Sequence, residues 1–194
     1  MLRFLSHILE RDWVKRILKV EDSRVLVRRI LFFIFLAGLS IVVFTFLFSK
    51  VVVSLGDSTP YRIFLKVNRE PGLGDYVVIE TPKNDRFAKG KLITKRVACV
   101  GGMYVKIVGL DYYCCDGVRG KDSWEGCIYL GRAKTQSKKG EEVIPYNPCG
   151  GIDCFFEVPS GYYFLVNPHP DSYDSRYLGL IQRNRVLFVL RPLV

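Results

Sequence analysis

From Ile30 to Ser49 the chain reads ILFFIFLAGLSIVVFTFLFS, 20 residues without a charge and the only long apolar run it contains. About 20 such residues cross the hydrocarbon of a bilayer as a helix, so the run predicts one transmembrane span over 30–49. Its apolar core exceeds the ~7–15 residues of a cleaved signal and no A-x-A site follows, which makes it a retained anchor. Ahead of it, Leu2, Leu5, Leu9, Trp13, Ile17 and Val20 recur at three- and four-residue steps, with Lys and Arg on the other face. That spacing predicts an amphipathic segment within residues 1–29, suited to the cytoplasmic leaflet or to a partner protein.

Beyond Lys50 the pattern changes. Short apolar or alternating runs are separated by Gly, Pro, Asn and Asp: YRIFLKV (61–67), DYVVIET (75–81), KLITKRVACV (91–100), MYVKIVG (103–109), YYFLVN (162–167) and RVLFVLR (185–191). They predict a mainly β, antiparallel domain over 50–194. Residues 111–158, rich in Gly, Lys and Cys with weaker periodicity, read as an inserted subdomain. Five of the six cysteines (Cys114, Cys115, Cys127, Cys149, Cys154; the sixth is Cys99) fall there. On the exported side of a membrane disulfides are permitted. Cys149 and Cys154 bracket a Gly-bearing turn and suit a hairpin-closing bridge, and either Cys114 or Cys115 suits Cys127. The full connectivity is not readable, since six cysteines allow 15 arrangements. With only His7 and His169 and no C-x₂-C pair, the pattern argues against zinc, and no cofactor is implied.

Charge adds topology. Residues 1–29 carry eight Lys/Arg against four Asp/Glu, +4 of the formal +10, and the rest is spread without a dominant basic run. This is no nucleic-acid signature. The excess before the anchor puts the N-terminus in the cytoplasm and residues 50–194 outside, and the anchor makes membrane lipid a partner of the chain.

Three polar segments carry candidate chemistry. Eight residues past Lys50, Gly56-Asp57-Ser58-Thr59-Pro60 has turn composition. In KLITKRVACV, alternation puts Lys95 on one face with Ile93, Val97 and Cys99. An ammonium desolvated there loses pKa, and a neutral lysine amine can take the proton of a serine hydroxyl without a histidine. HPDSYDSRYLG packs Asp171, Ser172, Asp174, Ser175 and Arg176 between two apolar strands. Such a loop is either a solvated turn or a set of groups that orients a base.

The order of these segments resembles the bacterial type I signal peptidases, membrane-anchored serine peptidases with a Ser-Lys dyad. The matching pieces are the anchor, DSTP, GDYVVI, KRVACVGG and SYDSRYLG, covering Ser58 to Gly179. The resemblance implies a signal-peptidase-like β fold, with Ser58 as nucleophile and Lys95 as general base. It implies Ser172 as the hydroxyl on the lysine amine, and Asp174 with Arg176 as a supporting ion pair. Gly74 and Asp75 would frame the substrate groove, and the backbone N–H of Ser58 would form the oxyanion hole. The Ser-x-Pro spacing, the aromatic Phe64 and HPDSYDSRYLG resemble the TraF-like branch, which processes pilin precursors of conjugative transfer systems and in some cases cyclises them. A leader-bearing, pilin-like precursor is then the expected substrate.

The chain also departs from those patterns. Arg62 stands where the TraF-like pattern has Gly, and Gly56 where many relatives offer a hydroxyl to the oxyanion. Gly101-Gly102-Met103 replaces Pro-Gly-Asp. A general signal peptidase of the secretory pathway and a non-catalytic assembly scaffold are the competing readings. The intact Ser58, Lys95 and Ser172 count against the scaffold. Seven residues separate Lys50 from Ser58, at most ~25 Å of extended chain, which would hold the serine near an anchored substrate.

Overall fold

The computed structural model describes residues 23–54, 56 and 58–193, so the amphipathic segment expected at the N-terminus lies largely outside the described residues. The chain divides into two compact units, 1–49 and 50–194. In the first, one helix, α1 (Ser23–Phe48), begins seven residues before the charge-free run. Leu31, Phe33, Phe35, Ile41, Val42 and Phe46 are all exposed. Among the described residues this apolar face is left open, which fits a helix of membrane-spanning length and composition.

The second unit is built from β1 (Val51–Val53), β2 (Ile63–Val67), β3 (Tyr76–Glu80), β4 (Leu92–Val100), β5 (Tyr104–Val108), β6 (Asp111–Cys115), β7 (Cys127–Arg132), β8 (Asp153–Glu157), β9 (Tyr162–Leu165), α2 (Ser175–Leu178), β10 (Ile181–Gln182) and β11 (Val186–Pro192). They form a seven-stranded sheet in the order β1-β2-β11-β3-β4-β9-β10 and a four-stranded sheet in the order β7-β6-β5-β8. Every pairing is antiparallel. The fold is therefore mainly β, as the punctuation of the sequence predicts. The six runs singled out there contain β2, β3, β4, β5 and β9 and all but the last residue of β11, while β1, β6, β7, β8 and β10 gave no such signal.

The near-continuous apolar reading of β3 has a simple cause: the strand is covered on both faces. Val77 and Ile79 join Val97, Leu165 and Ile181 in one core, while Tyr76 and Val78 join Phe64 and Leu190 in another. A third core joins the sheets through Cys99, Val105, Ile107, Tyr112 and Phe164. Fully burying a side chain of this size contributes roughly 1.5–3 kcal/mol.

Three disulfides complete the domain. Cys99–Cys114 ties β4 to β6, Cys115–Cys127 ties β6 to β7, and Cys149–Cys154 closes the turn into β8. The last is the hairpin bridge expected from the spacing, and Cys115 rather than Cys114 takes Cys127. Cys115–Cys127 thus braces the four-stranded sheet internally, Cys149–Cys154 pins a turn to its edge strand, and the remaining pair fastens the sheet to the strand that carries Lys95.

Candidate active site

Ser58 sits in the loop of the β1–β2 hairpin. The loop is closed by the Ser54 N–H donating to Arg62 O at 2.8 Å. The buried Thr59 stiffens it, its hydroxyl donating to Tyr61 O at 2.9 Å and lying 3.3 Å from Ser54 Oγ. Pro60 then keeps Thr59 out of helical conformation.

Lys95 comes to this loop from the middle of β4. Alternation puts Lys95, Val97 and Cys99 on the buried side, and only 4% of Lys95 is exposed. Its Nζ lies 2.8 Å from Ser172 Oγ and 3.3 Å from Ser58 Oγ. Burial removes water from the ammonium and lowers its pKa from 10.5 to about 8. Asp174 pulls the value up and Arg176 pushes it down, each by less than burial does. At pH 7 about one lysine in ten is then a free amine, against roughly one in three thousand for an unperturbed side chain.

The third segment holds that geometry. Asp174 caps α2 by accepting from the Arg176 N–H and is also bound in a two-pronged ion pair, Arg176 Nε to Oδ1 at 2.9 Å and Nη2 to Oδ2 at 2.8 Å. Both side chains are almost fully buried. The same guanidinium donates to Arg132 O on β7 at 3.2 Å and to His169 O at 3.3 Å, with Ser172 O 3.5 Å away. The pair therefore fixes the backbone on which Ser172 stands. Gly131, at a β6–β7 register shift, makes room for it: a Cβ there would lie 2.9 Å from Arg176 Nη1.

Asn167 belongs to the site as well, although nothing in its local sequence singles it out. Its Oδ1 accepts the Arg96 N–H at 2.9 Å, which leaves Nδ2 to donate to Thr94 O at 3.1 Å and towards Ser58 Oγ at 3.3 Å. An asparagine between an apolar strand and a proline reads as a turn. The only available signal was its place five residues before Ser172.

Ser58, Lys95, Ser172, Asp174 and Arg176 are thus brought together. Gly74 and Asp75 stand apart from them, at the entry to β3. Gly74, at φ +84°, donates to Val97 O at 2.8 Å, and the Asp75 carboxylate takes Arg69 at 2.6 Å and the Gly72 N–H at 2.8 Å. The β3 side chain that reaches the cleft is Val78. That cleft, about 480 Å³, runs between Val52, Val53, Ser54 and Gly56 on one side and Leu92 to Lys95 on the other, with Ser58 at its side and Phe188 on its floor. A Cβ on Gly56 would lie 3.9 Å from Ser58 Oγ, so space is present where a second hydroxyl donor is missing.

A desolvated amine within reach of a serine hydroxyl can generate a nucleophile, and the family model for signal peptidase, peptidase S26, matches residues 26–190. The chain belongs to the signal peptidase S26 family. Family membership makes it a signal peptidase I-like serine endopeptidase acting on leader-bearing precursors, and its apolar helix fits membrane anchoring. Among solved structures, a signal peptidase I from Enterococcus faecalis V583 is similar at 21% identity over 63% of this chain and 98% of its own, with a TM-score of 0.36. No curated protein sequence matches the chain.

Proposed function

We propose that this signal peptidase cleaves leaders from pilin-type precursors of a conjugative transfer system, with Ser58 as nucleophile and Lys95 as general base. The observation that carries the assignment of roles is the buried Lys95 amine, 2.8 Å from Ser172 Oγ and 3.3 Å from Ser58 Oγ. The neutral Nζ takes the Ser58 hydroxyl proton as Oγ attacks the scissile carbonyl. Ser172 holds the amine in line, and Asn167, donating to Oγ, leaves the serine proton directed at Lys95 and stabilises charge gathering on the oxygen. The oxyanion is met by the Ser58 backbone N–H. Lys95 then returns its proton to the departing amine, leaving an ester on Ser58.

Water activated by the same amine completes hydrolysis. An amine of the substrate itself, attacking the ester instead, would close a ring. The edge of β4 supports the binding mode, since β9 pairs with β4 only from Val97 onward. An extended peptide can therefore add along Leu92–Thr94. Gly74 and Asp75 contribute by fixing the approach of β3 to β4 rather than by touching the peptide.

The pilin branch rests on the DSTP and HPDSYDSRYLG segments. The excess of Lys/Arg before the anchor supports a cytoplasmic N-terminus and a catalytic domain on the outer face, the periplasm of a bacterial inner membrane. The test is intact mass of a pilin-like precursor co-expressed with the wild type, Ser58→Ala or Lys95→Ala. Leader loss with the wild type alone supports the dyad, and a further loss of one water marks ring closure. Equal processing of a generic secreted precursor would move the assignment to general secretion.

A further inference from the structure

The catalytic cleft does not end at the dyad. Its floor crosses the sheet along one face, from Thr94 on β4 to Val78 on β3 and Phe188 on β11, which are paired neighbours, and reaches Lys66 on β2. Lys66 Nζ lies over the Phe188 ring, 4.2 Å from its centre. Both residues also line a second cleft of about 480 Å³, so the two spaces adjoin through them. Four cations, Lys50, Lys66, Arg69 and Arg183, line this second cleft, and among the described residues no carboxylate does. Arg69 and Arg183 are held from outside it by Asp75 and Glu70. Lys66 and Lys50 stand side by side, since the Lys66 N–H donates to Lys50 O at 2.8 Å. Between Lys66 and the dyad the floor is largely apolar, formed by Val78 and by Phe188, which is 40% exposed.

We infer that this basic cleft is a specificity subsite for an acidic side chain of the substrate, with Lys66 as its principal contact. The inference rests on the peptidase reading above. A chain that leaves the β4 edge beside the dyad and continues across Val78 and Phe188 would meet the ammonium of Lys66, and a carboxylate is what that ammonium binds. Three strand spacings separate β4 from β2, about 14 Å. That is roughly four residues of extended peptide, so the acid belongs some four residues from the scissile bond.

The test uses the full chain in detergent and peptides built on a small-residue cleavage sequence. Matched Glu and Gln versions carry the change at each of the third to sixth positions on either side of the bond. Cleavage of the neutral Gln peptides, lost in Ser58→Ala, checks the peptidase reading separately. With that in hand, one register should show kcat/KM roughly three- to tenfold higher for Glu than for Gln at low salt, mostly through KM. The ratio should fall to one in Lys66→Gln, and in Lys66→Glu a Lys peptide should be preferred over Glu at that register. Glu and Gln cleaved alike at every register, or a ratio that survives Lys66→Gln, would overturn the subsite. So would loss, in Lys66→Gln, of binding to phosphatidylglycerol vesicles with no Glu preference in the wild type. That outcome would assign the cleft to lipid headgroups.

Discussion

Asn167 reaches Ser58 with the one end of its amide that can only donate, because the Arg96 N–H already occupies its oxygen. The serine oxygen is thereby made an acceptor, and its single proton is left for Lys95. Asn167→Asp keeps the oxygen for Arg96 and removes the donor. It should lower kcat about ten- to a hundredfold and slow acylation by a serine-directed probe in step, with KM little changed. A purely structural role would instead lower the melting temperature and leave the probe rate of the folded fraction unchanged.

The lowered pKa of Lys95 sets the pH dependence. In the proposed mechanism the active form is the neutral amine, so kcat/KM should rise with pH through an apparent pKa of about 8. Stability follows the same sign. Below pH 8 the ammonium is buried at full cost. Between about 8 and 10.5 the unfolded chain binds the proton and the folded one does not, so folding gains stability as pH rises through that window. A pH–rate profile beside denaturant titrations of the wild type and Lys95→Met checks both. A rate flat from pH 6 to 9 would remove Lys95 from the base role.

What the sequence made legible follows from how local each feature is. Lys95 could be read because alternation along one strand puts it among Ile93, Val97 and Cys99, and that pattern is complete within nine residues. Ser172, Asp174 and Arg176 lie within five residues of one another, so their joint action is also local. Asn167 was not legible, because its role depends on contacts with Arg96, 71 residues away, and Ser58, 109 away. Strand β7 escaped for a different reason. Adjacent Ile128 and Tyr129 are both exposed, so no alternation marks the strand, and Cys115–Cys127 helps hold it where burial does not.

The Asp174–Arg176 pair should be the most sensitive point for stability. Neither charge reaches water, so removing one partner strands the other. Arg176→Met should cost about 3–5 kcal/mol and release the loop that carries Ser172. Arg176→Lys should rescue little, because one ammonium cannot reproduce the two-pronged contact. Urea titration measures the loss, and an unchanged midpoint would show the pair to be dispensable.

Gly131 carries the same pair from the other sheet. Its φ of +118° and the 2.9 Å between a would-be Cβ and Arg176 Nη1 make even alanine costly there. Gly131→Ala should destabilise by about 1–3 kcal/mol and reduce turnover at a position that touches no substrate. Gly140→Ala, also at positive φ but with open space around it, is the control. If both variants behave alike, backbone strain alone accounts for the loss and the guanidinium has room to spare.

The Cys99–Cys114 bridge should matter more for activity than the other two, because it is the one that leaves the four-stranded sheet. Cys99 lies four residues from Lys95 on β4, and Cys114 lies beside Tyr112, whose hydroxyl donates to Arg176 O at 3.3 Å. Opening it frees a 15-residue separation, worth about 3 kcal/mol in chain entropy. It also loosens the contact between the strand bearing Lys95 and the sheet that backs the ion pair. Paired Ala replacements at 99 and 114 should therefore lower both the melting temperature and kcat. Replacing Cys149 and Cys154, which close a short exposed turn, should lower stability less and leave kcat near the wild-type value. Equal losses of kcat from the two double variants would mean that the sheet-to-sheet tie has no special hold on the site.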